Sequence, residues 1–301
     1  MHDTSELFGG LELGGTKCVA LVARGTAIVD SASFPTTDPA ATLGAVTGWL
    51  SAAQARHGVL SGIGIASFGP LELAPERADY GCITRTTKPG WDGADILGAV
   101  RAGFAVPVGI DTDVGGAALA EARWGAATAA RVSVYLTIGT GIGGGVVVDG
   151  RSVRGLVHPE MGHVRVRRRA DDSFAGACVF HGDCLEGLAS GPAIAARTGQ
   201  DGTTLPADHP VWRDVADEIA ELATMLILTL GPQRIAIGGG VGQGQPQLLP
   251  MIRSAVAARL GGYVPVIDAA ALDSLIGHPG LGDRAGPLGA IAVAMDAAAA
   301  S

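Results

Sequence analysis

The side chains best suited to chemistry lie between His158 and Glu186. Cys178, His181 and Cys184 are spaced C-x2-H-x2-C, and His163 stands fifteen residues ahead of Cys178. Two thiolates and two imidazoles form a complete tetrahedral donor set for Zn2+, with His158 or Asp183 as competitors for the place of His163. Four protein ligands leave no open coordination position, so such a zinc is structural rather than catalytic. Plain core thiols beside surface histidines are the alternative. Glu160 and Glu186 are interleaved with these residues, yet the metal does not need them; a stapled loop leaves them for a substrate.

Glycine turns form the second group. Residues 7 to 23 read as strand, LELGGTK turn and strand CVALVA, followed by a short strand near Thr26 to Asp30. Residues 131 to 153 repeat this plan with VSVYLTI, GTGIGGG and VVVDG. Two such turns about half the chain apart point to a duplicated βββ unit. Gly139, Gly141 and Gly144 match G-x-G-x-x-G, but the dinucleotide fingerprint requires a helix next, whereas the β-branched run here ends in a hairpin-type Asp149-Gly150. No G-x4-G-K-[ST] loop occurs. Glycine turns between antiparallel strands still let backbone N–H groups approach phosphate oxygens, and Thr16 and Thr140 add hydroxyls at equivalent places. A third glycine turn, Gly238 to Gly240, follows the apolar run Arg234 to Ile237. Taken together, the three turns favour nucleotide binding. Asp111 and Asp113 sit where a strand ending near Ile110 meets a helix over Ala117 to Trp124, a place where α/β sheets commonly bind ligands. Asp113 either caps that helix or serves as general base for a substrate hydroxyl.

The elements that must position these groups are legible in outline. Asp214 to Leu230 carries Val215, Ile219, Leu222, Leu226 and Leu230 at helical spacing, and Gly231-Pro232 stops it. A last helix starts at about Pro287 and is expected to pack back onto the first lobe, making that lobe discontinuous. No linker separates independent domains, so two lobes are expected to share a cleft and a hinge. With 301 residues, 48% hydrophobic content and 47 glycines, the chain has ample core for an α/β protein. A net charge of -8 argues against nucleic acid or an anionic membrane as main partner. The basic run Arg165 to Arg169 departs from that average and reads as a solvated segment beside the metal loop. Cys18 and Cys82 complete the four cysteines and leave no disulfide framework, which points to a reducing cytoplasm. The first ten residues show no signal peptide, and no apolar run is long enough to span a membrane.

With these residues assembled, the sequence resembles the ROK family of sugar kinases, and within it the zinc-containing bacterial fructokinases. The resemblance rests on Gly9-Gly10-Leu11-Glu12-Leu13-Gly14-Gly15-Thr16-Lys17, on Ser67-Phe68-Gly69-Pro70, and on Thr87-Lys88-Pro89-Gly90-Trp91. It continues in Thr112-Asp113-Val114-Gly115, Glu160-Met161-Gly162-His163, the segment from Cys178 to Glu186, Gly191-Pro192 and Gly238-Gly239-Gly240. It implies a two-lobed actin/hexokinase-like (ribonuclease H-like) α/β fold of duplicated βββαβα units with an active-site cleft. The lobes would be residues 1–112 plus about 286–301, and 113–285. It implies ATP contacts from Glu12, Gly14, Gly15, Thr16, Lys17, Gly139, Thr140, Gly141, Pro192, Gly239 and Gly240, with Mg2+ near Glu12. Glu160, His163, Glu186, Gly69 and Pro70 would meet the sugar, and Asp113 would be the catalytic base. His163, Cys178, His181 and Cys184 would hold a structural Zn2+, and the protein would be a homodimer. Gly115 stands where the family has Asn, which puts one supporting hydrogen bond in question. The implied reaction is ATP-dependent phosphorylation of D-fructose at the 6-hydroxyl. Glucose, mannose or N-acetylmannosamine are alternative acceptors. The family's transcriptional repressors carry a helix-turn-helix domain ahead of the kinase-like part, whereas only about six residues precede the first strand here. A sugar-binding protein without turnover is the remaining alternative, with Gly115 its one hint.

Overall fold

Runs of β-branched and small apolar residues, broken by glycines, make the strands of two sheets in a computed structural model that describes residues 6–301. Residues 1–5, part of the expected first lobe and of the segment expected to lack a signal peptide, lie outside the described residues. The first sheet contains β1 (Phe8–Leu13), β2 (Lys17–Arg24), β3 (Ala27–Pro35), β4 (Gly62–Ser67) and β5 (Val108–Thr112) in the order β3-β2-β1-β4-β5. The second contains β6 (Val132–Ile138), β7 (Ile142–Val148), β8 (Arg151–Ser152), β9 (Arg234–Gly238) and β10 (Ile276–Gly277) in the order β10-β9-β6-β7-β8. Reversed, the second order matches the first strand for strand. The senses match too: β1 pairs antiparallel with β2 and parallel with β4, as β6 does with β7 and β9. The duplication is a topological fact. Each hairpin closes around its glycines, Leu13 opposite Cys18 and Ile138 opposite Ile142. At Asp149-Gly150 both residues take positive φ, 48° and 77°, as a two-residue hairpin turn requires.

The helices are α1 (Pro39–His57), α2 (Ile96–Arg101), α3 (Asp113–Trp124), α4 (Leu185–Ala189), α5 (Gly191–Thr198), α6 (Val211–Leu230), α7 (Gly239–Gly244), α8 (Leu248–Leu260), α9 (Ala269–Leu275) and α10 (Ala285–Ala299). Helix α6 ends as its sequence dictates, with Gly231 left-handed at φ 58° and its N–H returned to the Ile227 carbonyl. Two expected boundaries move. The third strand runs on to Pro35, because Ser31 to Phe34 continue the pairing with β2 although one face is exposed. The glycine run at Gly238 to Gly240 is no turn between strands: β9 ends in it and α7 begins in it.

By contact the chain forms two compact units, one of residues 1–125, 150–158 and 283–301, the other of residues 126–149 and 159–282. In the first unit α1 and α2 pack around Leu11, Leu13, Leu50, Ile63, Ile65 and Trp91. Helix α10 joins that unit from the far end of the chain. A β-carbon at Gly64 of β4 would overlap the carbonyl of Ala290, so the helix lies directly on the sheet. Gly289 similarly lets α10 meet Gly116 of α3 backbone to backbone, and α3 thereby stays with the first sheet, although the sequence expectation put the lobe boundary at residue 112. In the second unit α6 and α8 pack over Val134, Leu136, Ile219, Ile235 and Ile252.

Candidate active site

In the first unit, chemistry gathers at the ends of β1 and β5. Thr112 caps α3, its Oγ1 accepting from the Gly115 N–H at 2.9 Å, which places Asp113 in the first helical turn. The cap is therefore Thr112, and Asp113 is left for other work. One Asp113 carboxylate oxygen accepts from the Val114 N–H at 2.8 Å. Burial pushes its pKa up to about 6, against that hydrogen bond and with a small push from Asp111. Glu12 on β1 is pushed up to about 7, by burial first and by the charge of Asp113 next, with Lys17 pulling the other way. Two half-buried carboxylates thus repel one another, with Lys17 as a partial counter-charge on Glu12.

Asp111 explains the unexpected Gly115. Its side chain is buried and one oxygen accepts from the Thr112 N–H at 2.8 Å. A β-carbon at Gly115 would come 2.5 Å from that oxygen. The carboxylate of Asp111 thus fills the space an Asn at 115 would enter. Restoring the family residue with Gly115→Asn is expected to cost about 1–3 kcal/mol by overpacking and to bring no gain in turnover. Urea denaturation and steady-state kinetics check both halves.

The first glycine turn is braced from two sides. The Gly14 N–H bonds the Lys17 carbonyl at 3.0 Å, and the Thr36 hydroxyl donates to the Gly14 carbonyl at 2.7 Å. Lys88 donates to the Gly15 carbonyl at 2.5 Å, across 73 residues of sequence. Sequence spacing carries no signal for that contact. Gly15, Thr16 and Lys17 are exposed. Gly69 and Pro70 follow β4: a β-carbon at Gly69 would sit 3.6 Å from the His158 ring, and the Pro70 carbonyl accepts from the Thr84 N–H at 2.8 Å. His158 is itself buried, with Nε2 accepting from the Leu71 N–H at 3.1 Å, so it stands outside the metal cluster. Trp91 is 0% exposed and belongs to the core.

In the second unit three glycine segments converge. The Gly191 N–H donates to the Gly139 carbonyl at 2.8 Å, and a β-carbon at Gly139 would lie 3.6 Å from the Gly240 nitrogen. Gly239 takes φ 82° where a β-carbon would meet the Ile138 backbone at 2.5 Å, so only glycine fits. Pro192 occupies the first turn of α5, where it forfeits no helical hydrogen bond. Thr140 and Gly141 complete the turn, and Glu186 reaches it from α4, its Oε2 accepting from the Ile142 N–H at 3.0 Å.

The same unit holds His163, Cys178, His181 and Cys184, whose ligand atoms all lie within 4.8 Å of one another. Bonds of ~2.0–2.3 Å to a tetrahedral centre imply edges of roughly 3.3–3.8 Å. The two Nδ1 atoms are 3.3 Å apart, and three of the four sulfur-to-Nδ1 distances are 3.6, 3.7 and 3.8 Å. The donors fit zinc. Burial, with Cys178 adding to it, pushes the Cys184 thiol up to about 11, so ligation there would release a proton. Local backbone supports the cluster: Cys178 and Gly182 exchange both hydrogen bonds, and Gly162 has no side chain because one would overlap the Ile142 carbonyl. Gly162 holds the short 3-10 helix Met161–His163 against β7, with Glu160 exposed just before it. Asp183 faces Arg165 and Arg168 instead of the cluster. The basic run is likewise met by acids, Arg168 by Asp172 at 2.9 Å and Arg169 by Asp171 at 3.1 Å.

A family model described as "ROK family" matches residues 8–297. The chain belongs to the ROK family. Among its relatives, this ROK protein is 42% identical over 292 residues to a fructokinase of Pediococcus pentosaceus, covering 97% of this chain and 98% of that one. It is 40% identical over 302 residues to a fructokinase of Zymomonas mobilis, covering 99% of each. A solved structure of a ROK hexokinase from Thermus thermophilus superposes with a TM-score of 0.80 at 26% identity, over 98% of this chain and 100% of that one. The two sheets with their helices are the two-lobed actin/hexokinase-like α/β architecture of ROK sugar kinases.

Proposed function

We propose that this ROK protein transfers the γ-phosphoryl group of ATP to the 6-hydroxyl of D-fructose. What supports this most is the 40–42% identity to two fructokinases over nearly the whole of each chain. Asp113 accepts the hydroxyl proton as O6 attacks phosphorus. The bond from phosphorus to the β–γ bridging oxygen breaks, ADP keeps that electron pair, and a new O6–P bond forms. A carboxylate with a pKa of about 6 is mostly ionised at neutral pH yet basic enough to take a proton in the transition state. Glu12, a half-buried carboxylate pushed up to about 7, fits a Mg2+ partner as an oxygen ligand. Bound Mg2+ supplies charge to the phosphate oxygens. Gly14 to Lys17, Gly139 to Gly141, Pro192, Gly239 and Gly240 hold the nucleotide. Glu160, His163, Glu186, Gly69 and Pro70 hold the sugar. His163, Cys178, His181 and Cys184 would hold Zn2+ as four protein ligands, a structural ion that would tie the loop carrying Glu160, His163 and Glu186. The four free cysteines fit a reducing cytoplasm, and no helix among the described residues is long and apolar enough to cross a membrane. The working form is a homodimer, as the resemblance implies.

The test is ADP release by purified protein with Mg-ATP and, in turn, fructose, glucose, mannose and N-acetylmannosamine. Fructose is expected to give the highest kcat/KM. Equal or better turnover of another hexose would keep the mechanism and replace the substrate. A binding role without turnover would give no ADP with any of them.

A further inference from the structure

The first glycine turn carries a cation that its own motif does not contain. Lys88 reaches it from a loop whose position is fixed at several points. Trp91, fully buried, donates through Nε1 to the Thr37 carbonyl at 2.7 Å and stacks edge-on against Phe68 at 5.1 Å. The Thr86 N–H is held by Asp92 at 2.8 Å, and the Lys88 N–H by the Thr86 hydroxyl at 3.3 Å. Thr36, next to the Trp91 anchor, bonds the turn at both ends: its N–H to the Thr16 carbonyl at 2.9 Å and its hydroxyl to the Gly14 carbonyl at 2.7 Å. One stretch of backbone thus registers the loop against the turn, and the Lys88 ammonium lands on the Gly15 carbonyl at 2.5 Å.

A carbonyl orients an ammonium without cancelling its charge. Of three N–H donors, one is spent on Gly15 and two remain. Lys88 is half-buried and forms no ion pair among the described residues. Partly desolvating an uncompensated charge is costly, and an anionic ligand removes the cost. Beyond Gly15 the space is open. A point charge with free donors beside an exposed glycine turn is the arrangement that suits phosphate.

We propose that Lys88 contacts the transferred phosphoryl group, donating to its oxygens and stabilising the charge they carry as the group passes from ADP to the sugar. This rests on the reading of the chain as an ATP-dependent fructokinase. The hydroxyl proton goes to Asp113.

The decisive pair of variants is Lys88→Gln and Lys88→Arg in the full-length, zinc-loaded protein. Gln keeps a donor for the Gly15 carbonyl and removes the charge, whereas Arg keeps both. Lys88→Gln is expected to lower kcat at saturating fructose and ATP by about 10²–10³-fold, the loss typical of removing one preorganised charge donor. Calorimetry is expected to show binding of a non-hydrolysable ATP analogue weakened about tenfold or more, with ADP and fructose affinities within about threefold of the parent, as befits a contact made to the last phosphate alone. Lys88→Arg is expected to recover at least about tenfold of the lost kcat, since charge is what it restores. A loop-anchoring role would leave Lys88→Gln near parental kcat, which overturns the proposal. Weakened fructose binding with kcat and ATP kinetics intact overturns it too, and moves Lys88 to the sugar. If Lys88→Gln does not fold, Lys88→Arg decides by the same affinities: equal loss for the ATP analogue and ADP rejects a contact to the last phosphate. Absence of turnover in the parent protein is a separate outcome and rejects the kinase reading before any variant is compared.

Discussion

Asparagine in place of Asp113 is expected to cut kcat for fructose phosphorylation by about 10²–10⁴-fold without lowering the melting temperature. The first half follows from removing the group proposed to take the hydroxyl proton. The second follows from the sign of its pKa shift. Folding raises Asp113 from 3.8 to about 6, so the fold prefers the neutral acid. Stability from this group is fully present below the unfolded value and is lost as pH rises from about 4 to about 6; at pH 7.5 the ionised carboxylate is a liability that Asn removes. Asn also keeps an oxygen for the Val114 N–H. For the parent enzyme the same shift predicts that kcat/KM climbs about tenfold per pH unit below pH ~6 and levels off above it. Rapid-quench or coupled-assay kinetics between pH 5 and 8, with calorimetric melting of both proteins, give the answer. A variant with near-parental turnover removes Asp113 from the chemistry.

Zinc removal is the second large effect. Chelation, or Cys184→Ala, is expected to lower stability by several kcal/mol, about 10 °C in Tm at ~2–4 °C per kcal/mol for a chain of this size. Fructose affinity should fall with it, because Glu186 lies two residues beyond Cys184 and Glu160 three before His163. The loop's other ties are few and local: Cys178 and Gly182 exchange backbone bonds, the Ala177 N–H meets the Gly187 carbonyl at 2.8 Å, the Leu185 N–H meets the Val164 carbonyl at 2.9 Å, and Arg165 meets Asp183 at the surface. Metal analysis, thermal melts and fructose titration of protein before chelation, after it and after zinc is returned separate the metal's effect from damage. Protein purified without chelator and found free of zinc would reject a structural metal here.

Much of this was legible in the sequence because local signals agreed with the final packing. Strand runs either side of LELGGTK and GTGIGGG gave both hairpins, and Asp149-Gly150 gave the second sheet's tight turn. Spacing placed Cys178, His181 and Cys184 together, since a short loop can bring such neighbours onto one ion. Choosing His163 over His158 needed the structure, where the Leu71 N–H claims His158. Helix α3 begins at Asp113, four residues ahead of its expected start at Ala117, because Gly115 and Gly116 are poor helix formers that hide it. Those glycines are there for Asp111 and for Gly289, one near in sequence and one at the other end of the chain. Lys88 on Gly15 was invisible for a related reason: its placement depends on where Trp91 is buried, a tertiary matter on which the spacing of residues is silent.

Helix α10 sets a timetable. The strands of the first sheet are all made by Thr112 and helix α3 by Trp124, yet Gly62 and Gly64 of β4 are covered by Ala285–Ala299. At ~5–20 residues per second, roughly ten to thirty-five seconds of translation separate the end of α3 from the end of α10. During that time the half of the protein synthesised first waits with a glycine-lined sheet uncovered, while the half synthesised after it can complete its own core. The unit that leads in sequence is therefore the last to finish. A nascent chain stalled just before residue 285 should retain protease-sensitive strands in its first hundred residues, even with its later core closed.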